Sequence, residues 1–289
     1  VEKPALARDV GILVHGVQEV FYLSGGLDGA QAKADAENYF DEQRVKAFEN
    51  SDSMPREMIK DLQQRYDLSW RIATGYWDWL EEYGGDSIYE NMRSEEKLSM
   101  PGPVDSILNG RLDLLADDKE SGDIVVIDFK VVASIEGMIK TLGMSEQGLQ
   151  YGLLAKINHP GRQVRVVWSM MKRSMRTGRA KPPFYQRYDL AINDDMIRQY
   201  YEQLHGQITE MLRLESMLND GHKPHVVAYP SPNSECSWKC QFFTVCGLMN
   251  DPRNDVEWMF EEHFTQRDRS KQEHQVSSEE TAVPVTIST

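Results

Sequence analysis

Two acids and a lysine carry the strongest chemical signal in this sequence. Asp113 lies in Gly-Arg-Leu-Asp-Leu-Leu at 110–115, and Asp128 and Lys130 lie in Asp-Ile-Val-Val-Ile-Asp-Phe-Lys at 123–130. An acidic turn from Asp117 to Gly122 separates the two runs, which read as the strands of a hairpin. Side chains alternate faces along a strand, so Val125, Ile127 and Phe129 share one face and Ile124, Val126, Asp128 and Lys130 the other. Both faces stay apolar until the strand ends, which is the pattern of a buried central strand. Its last residues set a carboxylate beside an ammonium. Asp113, on the partner strand, brings a second carboxylate to the same end. Paired carboxylates hold Mg2+ or Mn2+ through hard oxygen ligands. A cation held there acidifies water and neutralises phosphate charge, and a neighbouring lysine orients the attacking water and stabilises the transition state. That chemistry is phosphodiester hydrolysis. An isolated Asp-x-Lys is more often a plain ion pair at a strand end, but that reading leaves the long apolar run and Asp113 without a part.

The elements that must position these groups follow from periodicity. Residues 5–23 have helical spacing, with Leu6, Val10, Leu13, Val14, Val17, Val20 and Phe21 on one stripe. His15 points roughly 130° from the centre of that stripe, so the residues alone make it a solvated histidine or one that faces a second surface. Residues 30–50 and 55–83 read as two further helices, broken at Met54-Pro55 and closed by Gly84-Gly85. Trp70, Tyr76, Trp77, Trp79 and Tyr83 on the later helix are read as packing, with a stacking surface for single-stranded bases as the lesser alternative. Strands are expected at 94–100, 107–115, 123–131, 163–171 and 184–190, with a helix at 146–156 and a long amphipathic one at 193–219. On the helix at 146–156, Gln147 and Tyr151 share a face and can hydrogen-bond a phosphate. Between the last two strands lies the only dense basic run, with Lys172, Arg173, Arg176, Arg179 and Lys181. It is either a solvated hairpin tip or an arm that grips phosphates.

In their order along the chain, these residues resemble the PD-(D/E)XK nuclease superfamily, and its RecB-like branch in particular. Asp128 stands in the (D/E) position and Lys130 in the K position, without the proline. The resemblance implies the restriction-endonuclease-like α/β fold, a mixed central sheet flanked by helices. It also turns His15, in Gly11-Ile-Leu-Val-His15, into a metal ligand on the first helix, and neutral imidazole suits Mn2+ beside carboxylates. Gln147-x-x-x-Tyr151 is similar to the Gln-x-x-x-Tyr motif that follows the lysine in that branch. The implied roles are Asp113, Asp128 and His15 as metal ligands, with the Phe129 carbonyl adding a backbone ligand. Lys130 activates water, and Gln147 and Tyr151 hold the substrate backbone.

Three cysteines, Cys236, Cys240 and Cys246, fall within eleven positions of a chain that has no others. Thiolates this close favour Zn2+ or an iron–sulfur cluster. No histidine nearby sits at a zinc-finger spacing. The AddB-type and CRISPR-associated RecB-like exonucleases imply a 4Fe–4S cluster, with three ligands from a compact late cysteine group and a fourth from upstream of the histidine helix. That fourth cysteine is absent here. Because the chain opens on Val1 rather than Met, its loss with the natural N-terminus is the expectation. The first gap is also one residue longer than the two the family usually has. Such a cluster would staple the end of the chain to its beginning.

A net charge of −14 argues against a general nucleic-acid coat but not against a nuclease, because local basic stretches decide where a phosphate backbone docks. No run approaches the ~20 apolar residues of a membrane span, and the first residues lack a signal-peptide core, so a cytoplasmic protein of a bacterial or phage-infected cell is expected. Four regions are expected: a helical one at 1–92 contributing His15, a nuclease core at 93–192, a helix and cysteine region at 193–250, and a segment at 251–289, disordered from about 267. The function expected is a metal-dependent DNA exonuclease in recombination, repair or phage DNA processing. Its substrate is single-stranded DNA or DNA with free ends, as the resemblance implies, alongside a recombination or replication partner. The alternatives are a non-catalytic DNA-binding subunit or a metal-stabilised adaptor on the same fold.

Overall fold

The structure is a computed structural model. It describes residues 6–49, 51, 54–143, 145–174, 180–190, 192–227, 231–233, 236, 240, 242–248, 251 and 253–264. The chain forms two compact units, the first running to Tyr201 and the second beginning at Glu202.

The first unit opens with three helices, α1 (Leu6–Leu23), α2 (Ala32–Phe48) and α3 (Arg56–Tyr83), and continues into strands β1 (Tyr89–Pro101), β2 (Ile107–Asp118) and β3 (Ile124–Val132). Helices α4 (Ile135–Leu142) and α5 (Glu146–Asn158) follow, then β4 (Val164–Lys172) and β5 (Tyr185–Leu190). The strands form one sheet in the order β1-β2-β3-β4-β5, antiparallel except for the parallel β3–β4 pair. A parallel pair needs a crossover, and α4 with α5 supplies it. The strand expected to be central is central: residues 124–129 are all buried, as β-branched side chains on both faces require.

One core lies between the N-terminal helices and the sheet. Val10, Val14, Val17 and Phe21 of α1 and Ile72, Tyr76, Trp77 and Leu80 of α3 join Leu114, Ile127, Phe129 and Val167 of the sheet. The aromatics of α3 are largely packing, as the sequence suggests: Tyr76 and Trp77 are buried, and the rings of Trp70 and Phe40 lie 4.8 Å apart. A buried polar cluster ties these helices to the sheet. Arg187 on β5 pairs with Asp86 at 2.6 Å and donates to the Tyr76 hydroxyl at 2.9 Å. Tyr76 in turn meets Ser169 of β4 at 2.7 Å, and Tyr22 of α1 donates to Asp86 at 2.7 Å. Helix α5 comes close to the hairpin at Gly110, where an added Cβ would stand 2.5 Å from the Leu154 Cδ1.

Two features differ from expectation. β1 is longer than the run at 94–100, beginning at Tyr89 and carrying a register shift between Glu90 and Arg93. The bulge breaks the alternation that marks a strand. Helix α4 has no counterpart in the expectation, because at 8 residues it is too short for a clear 3.6-residue period.

Helix α6 (Asp194–Asn219) begins in the first unit, and the second holds the short helices α7 (Pro224–Val227), α8 (Phe243–Cys246) and α9 (Val256–His263). The tail expected to be disordered lies outside the described residues. Among the described residues, no helix is long and apolar enough to cross a membrane.

Candidate active site

Asp113 and Asp128 meet where the β2–β3 ladder stops. Leu114 and Ile127 are its last paired residues on this side. One step further, the Asp113 carboxylate rather than a main-chain carbonyl accepts the Phe129 N–H, at 2.8 Å. A side chain thus takes over from the backbone, and the strand ends part around two acids. Asp128 is buried, and its Oδ2 lies 2.7 Å from Lys130 Nζ. The ammonium also sits 5.1 Å from the centre of the Trp168 ring, and Trp168 is the β4 residue in register with Asp128. This cation–π contact holds the lysine over the strand end.

Two helices complete the group. Gln147 and Tyr151 are one turn apart on α5. The Gln147 amide donates to Asp128 Oδ1 at 3.2 Å and to the Tyr151 hydroxyl at 2.7 Å. On α1, His15 turns away from the core stripe, and its Nδ1 lies 3.4 Å from Asp113 Oδ2. Its ring meets Phe129 edge-on at 6.4 Å. Of the two readings the sequence leaves open, the structure has His15 facing the sheet end rather than solvent alone.

The electrostatics follow from burial. Asp128 is pushed up to about 7, chiefly because its charge is desolvated; Asp113 adds to this and Lys130 opposes it. Burial lowers His15 below its ordinary value, with Asp113 opposing. The imidazole is therefore neutral at pH 7 and keeps a lone pair for a metal. Burial and the charge of Asp128 push Tyr151 up to about 12, so its hydroxyl remains a donor.

Two carboxylates, a neutral imidazole and a carbonyl are a donor set suited to Mg2+ or Mn2+. Asp128 Oδ2 fits that use: it is buried and faces the Lys130 ammonium at 2.7 Å. The main chain of Phe129 is hydrogen-bonded to His15. Among the described residues, no group of three His, Cys, Asp or Glu side chains is arranged to hold an ion together. The carboxylates turn instead to Phe129, Gln147 and Lys130.

The remaining expected residues fall as follows. Lys172 and Arg173 lie at the β3–β4 end that also carries Lys130: Arg173 N–H donates to Val132 O at 2.7 Å, and Lys172 Nζ to Lys181 O at 2.7 Å. Arg176 is outside the described residues. Cys236, Cys240 and Cys246 are free thiols; Cys240 N–H donates to Cys236 O at 3.3 Å, and Cys246 ends α8. Sequence reasoning missed Glu95 and Trp168. Glu95 reaches the sector of Asp113 from an irregular strand, where no period marks it. Trp168 looks like any core aromatic until its register with Asp128 is known.

Residues 1–247 match the model of the PD-(D/E)XK nuclease superfamily. No curated protein matches the chain. Among solved structures, the chain is similar to the "Putative exonuclease" from Eubacterium rectale, with 14% identity, 90% of this chain and 80% of that one covered, and a TM-score of 0.42. It is also similar to SSO0001, with 15% identity, 71% and 79% covered, and a TM-score of 0.30.

Proposed function

The chain belongs to the PD-(D/E)XK nuclease superfamily, and from that premise we propose that it is a metal-dependent DNA exonuclease serving recombination, repair or phage DNA processing. The observation that carries this reading is the facing pair Asp113 and Asp128 at the end of the β2–β3 ladder, with His15 and Lys130 on either side.

In this proposal Asp113, Asp128 and His15, with the Phe129 carbonyl, are the residues that would hold Mg2+ or Mn2+. When bound, the cation supplies charge neutralisation at the phosphate and a lowered pKa for water. Lys130, set beside Asp128 and held over Trp168, orients the attacking water and counters the charge that grows on the phosphoryl oxygens. The Gln147 amide and Tyr151 hydroxyl donate to non-bridging phosphate oxygens, and the protonated state of Tyr151 suits that role. Lys172, Arg173 and Arg176 bind phosphates further along the strand. Cys236, Cys240 and Cys246 act as thiolate ligands of a 4Fe–4S cluster or Zn2+, a role supported by their sequence spacing alone. The unit boundaries of this proposal are a helical region at 1–92, the core at 93–192, the helix and cysteine region at 193–250, and a terminal segment at 251–289.

The exonuclease reading is tested with linear and covalently closed circular DNA of the same sequence in Mg2+ or Mn2+. Loss of the linear form alone supports it. Cleavage of both circular single strands and circular duplexes contradicts it in favour of an endonuclease.

A further inference from the structure

Beyond Asp113 lies an ion pair with no part in the mechanism above. Glu95 on β1 and Arg111 on β2 meet with Oε2 and Nε 2.6 Å apart. Arg111 stands two residues before Asp113 on the same strand, and Glu95 feels the charges of both Asp113 and Glu19. The pair therefore belongs to the sector of the two acids.

Three observations separate it from an ordinary surface ion pair. Glu95 has φ 55, a left-handed conformation that non-glycine residues seldom adopt and that clusters at functional sites. Burial pushes the Glu95 carboxyl up to about 7, with Arg111 opposing and Glu19 and Asp113 adding to it. The guanidinium meets Glu95 through Nε, and the Arg111 side chain is 42% exposed against 18% for Glu95. An exposed guanidinium presents to solvent the planar fork that fits two oxygens of one phosphate. Finally, Lys97 is paired with Arg111 across the two strands and is exposed. Like charges directly opposite one another are unfavourable in a sheet, and an anion between them relieves that repulsion.

We propose that Arg111 grips a backbone phosphate of the nucleic-acid strand, next to the phosphate that is hydrolysed, and that Glu95 is the counterion this phosphate displaces. The inference rests on the nuclease reading and deepens it. It gives the β1–β2 hairpin the substrate strand to hold, while α5 and Lys130 serve the reacting phosphate.

The test uses the full chain carrying Asp128→Ala, so that substrate survives. Affinity for a short labelled single-stranded oligonucleotide is measured across a range of salt, and thermal melts run alongside. Wild-type protein is assayed for cleavage in parallel. Arg111→Ala is expected to weaken binding about tenfold or more and to reduce the slope of log affinity against log salt by about 0.7, the share of one phosphate on a single strand. Arg111→Lys should keep the slope, because the charge remains, but lose affinity because the fork is gone. Glu95→Gln should bind more tightly than its parent. A structural pair would instead lower the melting temperature and leave the slope alone. Unchanged affinity and slope in a folded Arg111→Ala protein, or an effect confined to melting, overturns the inference. If the wild type still cuts DNA in that case, the nuclease reading stands without it. Wild-type protein that neither cuts nor binds overturns both.

Discussion

In the proposed role Asp128 is buried and yet must be ionised to hold a cation, and those demands oppose each other. Desolvation, with help from Asp113, pushes its carboxyl up to about 7, while an unfolded aspartate ionises near about 3.9. Between those values the folded protein keeps a proton that the unfolded chain gives up. Stability from this residue is therefore greatest in acid, falls as pH rises from about 4 to about 7, and is level above that, a loss on the order of 4 kcal/mol. A cation that binds the carboxylate offsets the loss where the group is ionised. Thermal melts should show a larger stabilisation by Mg2+ at about pH 8 than at about pH 5.5, and Asp128→Asn should flatten both the fall and the Mg2+ response. Equal stabilisation at both pH values would count against Asp128 as a ligand. The two acids and Lys130 were legible in the sequence because strand alternation fixes which side chains meet. His15 was legible only through the resemblance, since its partner depends on how α1 docks. Glu95 was not legible, because its direction comes from a single left-handed residue.

At the scale of elements, the site depends on two attachments. The first is the buried cluster that fixes α1 and α3 on the sheet. Arg187 and Asp86 are both almost wholly buried, and removing one leaves the other charged and unpaired. Arg187→Met should cost about 3–5 kcal/mol, and adding Asp86→Asn should recover much of it; a urea titration of the single and double variants reads this directly. The second is the close approach of α5 to the hairpin at Gly110. Gly110→Val should destabilise by about 1–3 kcal/mol through overpacking against Leu154. It should also lower kcat, because α5 carries Gln147 and Tyr151. A variant that loses stability but keeps full kcat would show that α5 does not set the site. The long helices and four of the strands could be placed from the sequence because their periods are strong. Helix α4 and the first half of β1 could not, because one is short and the other is bulged.

For the whole molecule, a net charge of −14 opposes any approach of DNA. The binding proposed above is then local, at the end of the sheet where Lys130, Arg111, Lys172 and Arg173 sit, and is expected to weaken steeply as salt is added. Membership of the superfamily covers residues 1–247, so family and fold could be read from the ordered set of motifs even though each motif is weak by itself. In the proposed function, Asp113, Asp128 and Lys130 form one metal-dependent hydrolytic site. The most direct measurement is degradation of end-labelled single- and double-stranded DNA in Mg2+ or Mn2+ by the wild type and by Asp128→Ala and Lys130→Ala. Cleavage is expected to require the cation and to fall by at least about a thousandfold in each variant. Folded wild-type protein that leaves every substrate intact, or variants that cut as the wild type does, would contradict it.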